Sequence, residues 1–243
     1  MPAAVPEEIT EAIAAALERD PRVDIHHSSL KVWAEEGTVV LDGMVKDIAS
    51  KRRGHALAEE EVAGRWRLLD LVRVLPGEEQ ADEELRDQVA ERLSTEPVFS
   101  EYTLQVGAGG ELQTLHEAGP EGFAVKAHVH DGVVTLSGRV GSLSHRRLAE
   151  VLAWWTDGCT LVRNELDVFP EEADNDNEVT DAVRIVLEKD PLVHADNLRP
   201  GTAAGVVTLT GSVASEEEKR LAMLDAWYVP GVFDVVDRID VHG

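Results

Sequence analysis

The sequence predicts an α+β fold made of three tandem αββαβ modules, each a two-layer sandwich with a three-stranded mixed sheet and two helices on one face. The main observation is that the pattern Gly-x-Val-x-Leu-x-Gly-x-Val occurs three times, at Gly37–Val45, Gly132–Val140 and Gly205–Val213. A similar helical pattern precedes each copy, and a second helix and a short strand follow it. A unit that recurs in this way indicates a tandem-repeat protein.

Each module is predicted to begin with an amphipathic helix. Apolar residues recur at positions i, i+4 and i+8, which places them on one face of a helix. An acidic residue and a proline follow, and the proline disfavours helical geometry in the residue before it, so the helix is expected to end there. The three sets are Ile9, Ile13 and Leu17 with Asp20 and Pro21; Leu85, Val89 and Leu93 with Glu96 and Pro97; and Val179, Val183 and Leu187 with Asp190 and Pro191.

The central strand of each module is predicted to bury one face. Side chains alternate across a strand, so Val39, Leu41 and Val45 share a face with Gly43. The first glycine of the motif is expected to turn a hairpin, and the second to allow a helix to approach closely or to form a bulge. The opposite face is expected to contact water or a neighbouring module, and its residues are Thr38, Asp42, Thr135, Ser137, Arg139, Thr208, Thr210 and Ser212.

These patterns divide the chain into module 1 (residues 1–76), module 2 (77–170) and module 3 (171–243). Module 2 is longer than the others by about twenty residues, which we place at about 100–124. This insertion is rich in glycine, with Gly107, Gly109 and Gly110 followed by Gly119 and Gly122. Such a composition favours a mobile hairpin or loop without a core of its own, and a binding loop is the alternative.

The composition limits the partners and the compartment. The chain has 23 basic and 47 acidic residues and a net charge of −24, which repels nucleic acid and anionic membranes at long range. Module 1 is the least acidic, at −4, while modules 2 and 3 are each at −10. Cys159 is the single cysteine, no apolar stretch is long enough to span a bilayer, and residues 1–8 lack the pattern of an export signal. We therefore expect a cytoplasmic protein that does not bind nucleic acid.

The repeated patterns together resemble the BON domain family, named after bacterial osmotically induced and nodulation proteins, in three tandem copies. The resemblance rests on the strand motif, on the helix that ends in an acidic residue and proline, and on the closing strand with Asp70, Asn164 or Asp237 six residues past its glycine. It implies a non-enzymatic binding protein of the osmotic or envelope stress type. The implied ligand is an ion such as potassium or a phospholipid headgroup, and the acidic composition favours the cation.

A protein-interaction or self-assembly scaffold without a small-molecule ligand is the alternative function. Short sheets with unpaired edges could bind a protein partner or a second copy of the chain, which would give a homo-oligomer.

Two sets of residues are candidates for a contact surface. The basic residues that recur near the start of each second helix indicate a solvated helix face or, alternatively, a headgroup site. They are Lys51, Arg52, Arg53, Arg146, Arg147, Lys219 and Arg220. Trp154 and Trp227 lie beside the apolar stripe that is expected to direct Trp155 and Tyr228 into the core. The two tryptophans could contact a membrane, a partner or another module, and a seam between modules is favoured.

No motif predicts catalysis, so we expect no enzyme, no cofactor and no metal. His128 and His130 could share a strand face as metal ligands do, but no supporting cysteine or carboxylate accompanies them in the sequence, and a surface pair is favoured. The acidic run that begins at Asp174 resembles the start of a calcium loop. It has Val179 where that loop needs glycine and Ile185 where it needs glutamate, so the resemblance fails.

Overall fold

The computed structural model of the protein describes residues 4–23, 29–119 and 122–242. The chain divides into two compact units, Met1–Leu75 and Pro76–Gly243. Unit 1 corresponds to module 1, and unit 2 contains modules 2 and 3.

Unit 1 has the αββαβ order that the sequence predicts. In its sheet, β2 lies in the centre, antiparallel to β1 and parallel to β3. The stripe residues Ile13 and Leu17 pack against Val39, Leu41 and Val45 of the central strand, which confirms the predicted buried faces. The elements are α1 (Glu7–Arg19), β1 (Lys31–Glu35), β2 (Thr38–Val45), α2 (Ile48–Val62) and β3 (Arg67–Val74).

Unit 2 contains this order twice, with two additional strands inserted in module 2, and it contains two sheets. The sheet of module 2 has the strand order β5-β4-β6-β7-β8, and the sheet of module 3 has the order β11-β10-β9. The mixed α+β fold is therefore confirmed, with five strands rather than three in module 2. The elements are α3 (Asp82–Thr95), β4 (Thr103–Ala108), β5 (Gln113–His116), β6 (Ala124–His130), β7 (Val133–Val140), α4 (Leu143–Trp154), β8 (Leu161–Val168), α5 (Asp176–Lys189), β9 (Leu198–Ala203), β10 (Val206–Val213), α6 (Glu216–Tyr228) and β11 (Asp234–Val241).

The insertion of module 2 contains the predicted hairpin, formed by β4 and β5, but the prediction of a mobile loop is wrong because this hairpin belongs to the sheet of the module. Strand β4 pairs in parallel with β6, and β5 pairs antiparallel with β4, so the insertion extends the sheet. Leu104 and Val106 of β4 are buried, as is Phe99 just before it. The prediction failed because a strand inside a sheet is stabilised by its neighbours, whereas the nearby glycines indicated only the turns. Pro120 and Glu121 lie outside the described residues.

The first glycine of each motif turns a tight hairpin, as predicted. Both central residues of each two-residue turn have positive φ, which is the geometry of a type I′ turn. The turns are Glu36 and Gly37, Asp131 and Gly132, and Ala204 and Gly205.

The second glycine of each motif permits a close approach, but of the chain that enters the neighbouring strand rather than of a helix. Gly43, Gly138 and Gly211 have φ values of +134°, +120° and +123°. A Cβ atom at these positions would overlap the backbone carbonyl group of Ser29, Ala124 or Asn197, respectively.

Modules 2 and 3 each fix the hairpin to the first helix through one carboxylate. Asp82 accepts hydrogen bonds from the backbone N–H groups of Asp131 and Gly132, the two central residues of the module 2 turn, at 2.8 and 3.0 Å. Asp176 accepts the equivalent pair from Ala204 and Gly205 at the same distances. Module 1 has Pro6 at this helix position and therefore lacks the carboxylate.

Candidate functional site

Modules 2 and 3 share an interface made mainly of helices. Helix α4 of module 2 contacts α5 of module 3. The buried Arg147 of α4 donates from Nη2 to both carboxylate oxygens of Asp174, at 2.6 and 2.7 Å, and from Nε to the carbonyl oxygen of Pro230 at 3.0 Å. A second ion pair joins Lys189 of α5 to Glu96 at 2.8 Å. Charged contacts therefore hold the two modules together at two places.

An open cleft of about 410 Å³ lies at this interface and is lined by residues of both modules. Trp154 and Trp155 at the end of α4 contribute from module 2. Leu221, Leu224 and Tyr228 contribute from one side of α6. The cleft thus has apolar and aromatic walls.

The acidic residue that follows the first helix has the same backbone role in all three modules. Its side chain accepts a hydrogen bond from the N–H group two residues further on, as Asp190 does from Leu192 at 2.8 Å. In modules 1 and 2 a cation pairs with this acid: Arg53 lies 2.6 Å from Asp20, and Lys189 lies 2.8 Å from Glu96. Asp190 makes no such ion pair among the described residues.

In module 3 the acid instead faces a second carboxyl group inside the cleft. Asp225 of α6 lines the cleft beside Asp190 and is only 3% exposed. No donor among the described residues supplies a hydrogen bond to its Oδ2 atom. Burial, together with the charge of Asp190 and a hydrogen bond to it, raises the pKa of Asp225 to about 8. Module 3 therefore has a pair of carboxyl groups at the place where modules 1 and 2 have an acid beside a cation.

The cleft also has cationic and unpaired groups. Lys189, paired with Glu96, and the exposed Arg92 are part of its lining. Trp154 is only 5% exposed, and its Nε1–H group has no acceptor among the described residues.

The structure uses most of the predicted basic residues inside their own modules. Lys51 is buried and lies 2.8 Å from Asp70, and its equivalent Lys219 lies 2.7 Å from Asp237. The aspartates of the closing strands are therefore partners of the first basic residue of the second helix. In module 2, Asn164 replaces the aspartate and donates to the carbonyl oxygen of Arg146 at 2.9 Å.

The remaining basic candidates differ in exposure. Arg53 pairs with Asp20, Arg147 is buried at the module interface, and Arg52 is half-buried. Arg220 is the one member of the seven that is exposed, and it pairs with Glu217 on the same helix.

The burial of the aromatic residues at the ends of the second helices differs from what the apolar stripe of each helix predicts. Trp154 and Trp227 are buried, and Trp154 lines the cleft. Trp155 and Tyr228, which were predicted to face the core, are half-buried and line the cleft instead. Helix α4 ends at Trp154, so a regular rotation of 100° per residue does not extend to Trp155. In α6, Ala222 and Ala226 occupy the buried face.

Two further observations bear on other sites. Within residues 4–23, 29–119 and 122–242, no group of three or more His, Cys, Asp or Glu side chains is arranged to hold a metal ion. His130 lies 3.9 Å from Asp82, whose carboxylate already accepts the two hydrogen bonds of the hairpin turn. In the same described part of the chain, no helix is both long enough and apolar enough to cross a bilayer.

Comparison with known proteins identifies the modules. The sequence profile of the BON domain matches residues 7–76, 112–170 and 175–243. The chain therefore belongs to the BON domain family and contains three tandem copies. The family is one of non-catalytic binding domains, associated with osmotic and envelope stress and with phospholipids.

Curated proteins and solved structures give no further information about the function of the chain. No curated protein matches the chain significantly. Two solved structures of CdsD, a structural protein of the type III secretion system of Chlamydia trachomatis, are similar to it at 14% and 15% identity. The first, of the C-terminal domain, aligns over 98% of this chain and 100% of the other with a TM-score of 0.26, and the second over 97% and 92% with a TM-score of 0.25. A likeness at this level carries no information about function.

The Asp225 carboxyl group is expected to make the stability of unit 2 depend on pH. Its pKa is about 8 in the folded chain and about 3.9 in an unfolded one, so the folded chain binds more protons between these values. The free energy of unfolding should therefore fall as the pH rises from about 4 to about 8. In Asp225→Asn the free energy of unfolding should change less with pH between about 4 and about 8. The variant should be more stable than the wild type at pH 8 and above.

Urea unfolding at a series of pH values measures this effect. Asp157→Asn, at an exposed acid of the same cleft, serves as the control and should keep the wild-type slope. Identical slopes for the wild type and Asp225→Asn would contradict the assignment.

Proposed function

We propose that this protein is a non-enzymatic, cytoplasmic binding protein of the osmotic and envelope stress type, and that the cleft between modules 2 and 3 receives a cationic group. The observation that carries the proposal is the replacement of an ion pair by a carboxyl pair. Asp20 and Glu96 each have a cation of the protein beside them, whereas Asp190 has Asp225. Two adjacent carboxyl groups cannot both ionise without a counter-charge, and a bound cation supplies one.

The surroundings of the carboxyl pair support the same conclusion. Trp154, Trp155 and Tyr228 line the cleft, and aromatic faces attract cations. Modules 2 and 3 each have a net charge of −10, which raises the local concentration of cations. A phospholipid headgroup has less support, because most of the recurrent basic residues are engaged in contacts within their own modules or at the module interface.

Tryptophan fluorescence tests the proposal, since Trp154 and Trp155 line the cleft. The chain is titrated with potassium, sodium, ammonium and alkylammonium chlorides at constant ionic strength. We expect a saturable change with at least one of these cations, reduced at least tenfold in affinity in Asp225→Asn and retained in Asp181→Asn, at an acid of α5 that does not line the cleft. An absence of any saturable response, or equal responses in the two variants, would overturn the proposal.

A protein-interaction scaffold remains the second candidate, and one feature of unit 1 favours it. Trp33 of β1 pairs with Val40 of β2, which pairs with Leu69 of β3, so the three lie in a row across the sheet. Trp33 and Leu69 are 38% and 37% exposed. Sedimentation of the chain and of Trp33→Ser distinguishes this function, because a scaffold that uses this face should associate and should lose that association in the variant.

A further inference from the structure

We infer that the cleft between modules 2 and 3 selects a small zwitterion of the amino-acid class, with a protonated amine and a carboxylate, rather than an inorganic cation. This inference rests on the proposed function, because it names the kind of cation that the same cleft would take. The cleft favours such a ligand by its unpaired polar groups, its charges and its size.

The two buried residues of the lining are also the two that keep a polar atom without a partner among the described residues. Asp225 Oδ2 lacks a donor, and Trp154 Nε1–H lacks an acceptor. An unpartnered buried polar group costs about 1–3 kcal/mol. A ligand with one ammonium group and one carboxylate can contact the carboxyl pair through its amine and the Trp154 N–H group through its carboxylate, whereas an inorganic cation can contact the carboxyl pair but brings no acceptor for the N–H group.

The lining carries charges of both signs, which suits a dipolar ligand. Asp157, Asp190 and Asp225 face the cleft together with Arg92 and Lys189. Lys189 pairs with Glu96, while the side chain of Arg92 makes no ion pair or hydrogen bond with the described residues. A bare cation would be repelled by both basic groups. A ligand carboxylate would instead be attracted by them, with Arg92 able to offer a bidentate contact.

The size and the walls of the cleft fit an organic molecule. A volume of about 410 Å³ is within the range of small-molecule sites and far exceeds that of a single ion. Leu221, Leu224 and Tyr228 provide an apolar wall against which the methylene groups of such a ligand can pack. Metal sites require several converging ligands, and the described part of the chain has no group of three or more candidate side chains arranged to hold one.

Calorimetric titration of the full chain with matched ligands tests the inference. One series contains glycine, β-alanine, 4-aminobutyrate and 6-aminohexanoate, which separate the two charged groups by increasing distances, and a second contains the common α-amino acids. Butylammonium lacks the carboxylate of 4-aminobutyrate, and butyrate lacks its amine. We expect at least one zwitterion to bind at least tenfold more tightly than potassium, butylammonium and butyrate.

The outcomes separate this inference from the proposed function. Equal affinity for butylammonium and the best zwitterion, or binding of potassium alone, would overturn the inference and leave a cation site in place. If no compound in either series binds and no inorganic cation binds, both the inference and the proposed function are overturned.

Two variants locate the contacts. Trp154→Phe keeps an aromatic ring and removes the N–H donor, so it should weaken zwitterion binding at least fivefold and leave butylammonium binding unchanged. Trp227→Phe is the control, because Trp227 occupies the equivalent position in module 3, is also buried and does not line the cleft. Equal losses in both variants would contradict the predicted contact. If Trp154→Phe does not fold, the ligand series on the unaltered chain decides the inference.

Discussion

Gly211→Ala is expected to lower the free energy of unfolding of unit 2 by at least about 3 kcal/mol. The residue has a φ of +123°, a region that L-residues rarely occupy, and a Cβ atom would overlap the carbonyl group of Asn197. Because the obstructing atoms belong to the backbone, β9 would have to move away from β10. Urea unfolding followed by far-ultraviolet circular dichroism measures the loss.

Gly201→Ala is the matched control for this change. Gly201 lies on β9, opposite Thr208 of β10, and a Cβ atom there would meet nothing within 4 Å. The substitution should leave stability unchanged or raise it by up to about 1 kcal/mol, since alanine restricts the unfolded chain. Similar losses at Gly201 and Gly211 would show that the motif glycine does not act through its close contact.

Arg147→Ala is expected to lower the free energy of unfolding of unit 2 by about 2–3 kcal/mol, which is the second largest of the expected effects. The substitution removes a buried side chain from the interface of modules 2 and 3 and leaves the carbonyl oxygen of Pro230 without this donor. Asp174 is 58% exposed, so its charge would be solvated, and most of the cost should come from lost packing and from the carbonyl group. Chemical unfolding of the full chain, followed by tryptophan fluorescence, reports this change.

Arg220→Ala provides the comparison, because Arg220 occupies the same position on α6 as Arg147 does on α4. Its side chain is 60% exposed and pairs with Glu217, so its removal should cost no more than about 0.5 kcal/mol. A loss for Arg147→Ala as small as that for Arg220→Ala would mean that the interface does not depend on this side chain.

The sequence predicts those parts of the fold that depend on local patterns. Ile13, Leu85 and Val183 lie on apolar stripes that the structure buries, and the first motif glycine forms the expected turn. Strand β4 was missed because its stability comes from pairing with β6, about twenty residues away in the sequence. The alternation of Leu104 and Val106 was the one available signal.

The sequence predicts the residues of the cleft less well than it predicts the fold. Trp154, for which the sequence favours a seam between modules, lines the cleft between modules 2 and 3. In the sequence Asp190 marks only a helix end, and no pattern singles out Asp225. Their pairing depends on where the end of α5 meets α6, which no local pattern encodes. Asp190 differs from its equivalents in modules 1 and 2, which have cations beside them.

The extra strands of module 2 also determine how chains could join. In modules 1 and 3 the first strand of the hairpin, β1 or β9, lies at the edge of its sheet. In module 2 the equivalent strand, β6, pairs with β4, and the four-residue β5 is the edge strand instead. Strand β9 contains Pro200, which has no N–H group to offer a partner. Strand β1 is therefore the one regular edge on the hairpin side of the described sheets, and two chains that paired through β1 alone would form a closed pair.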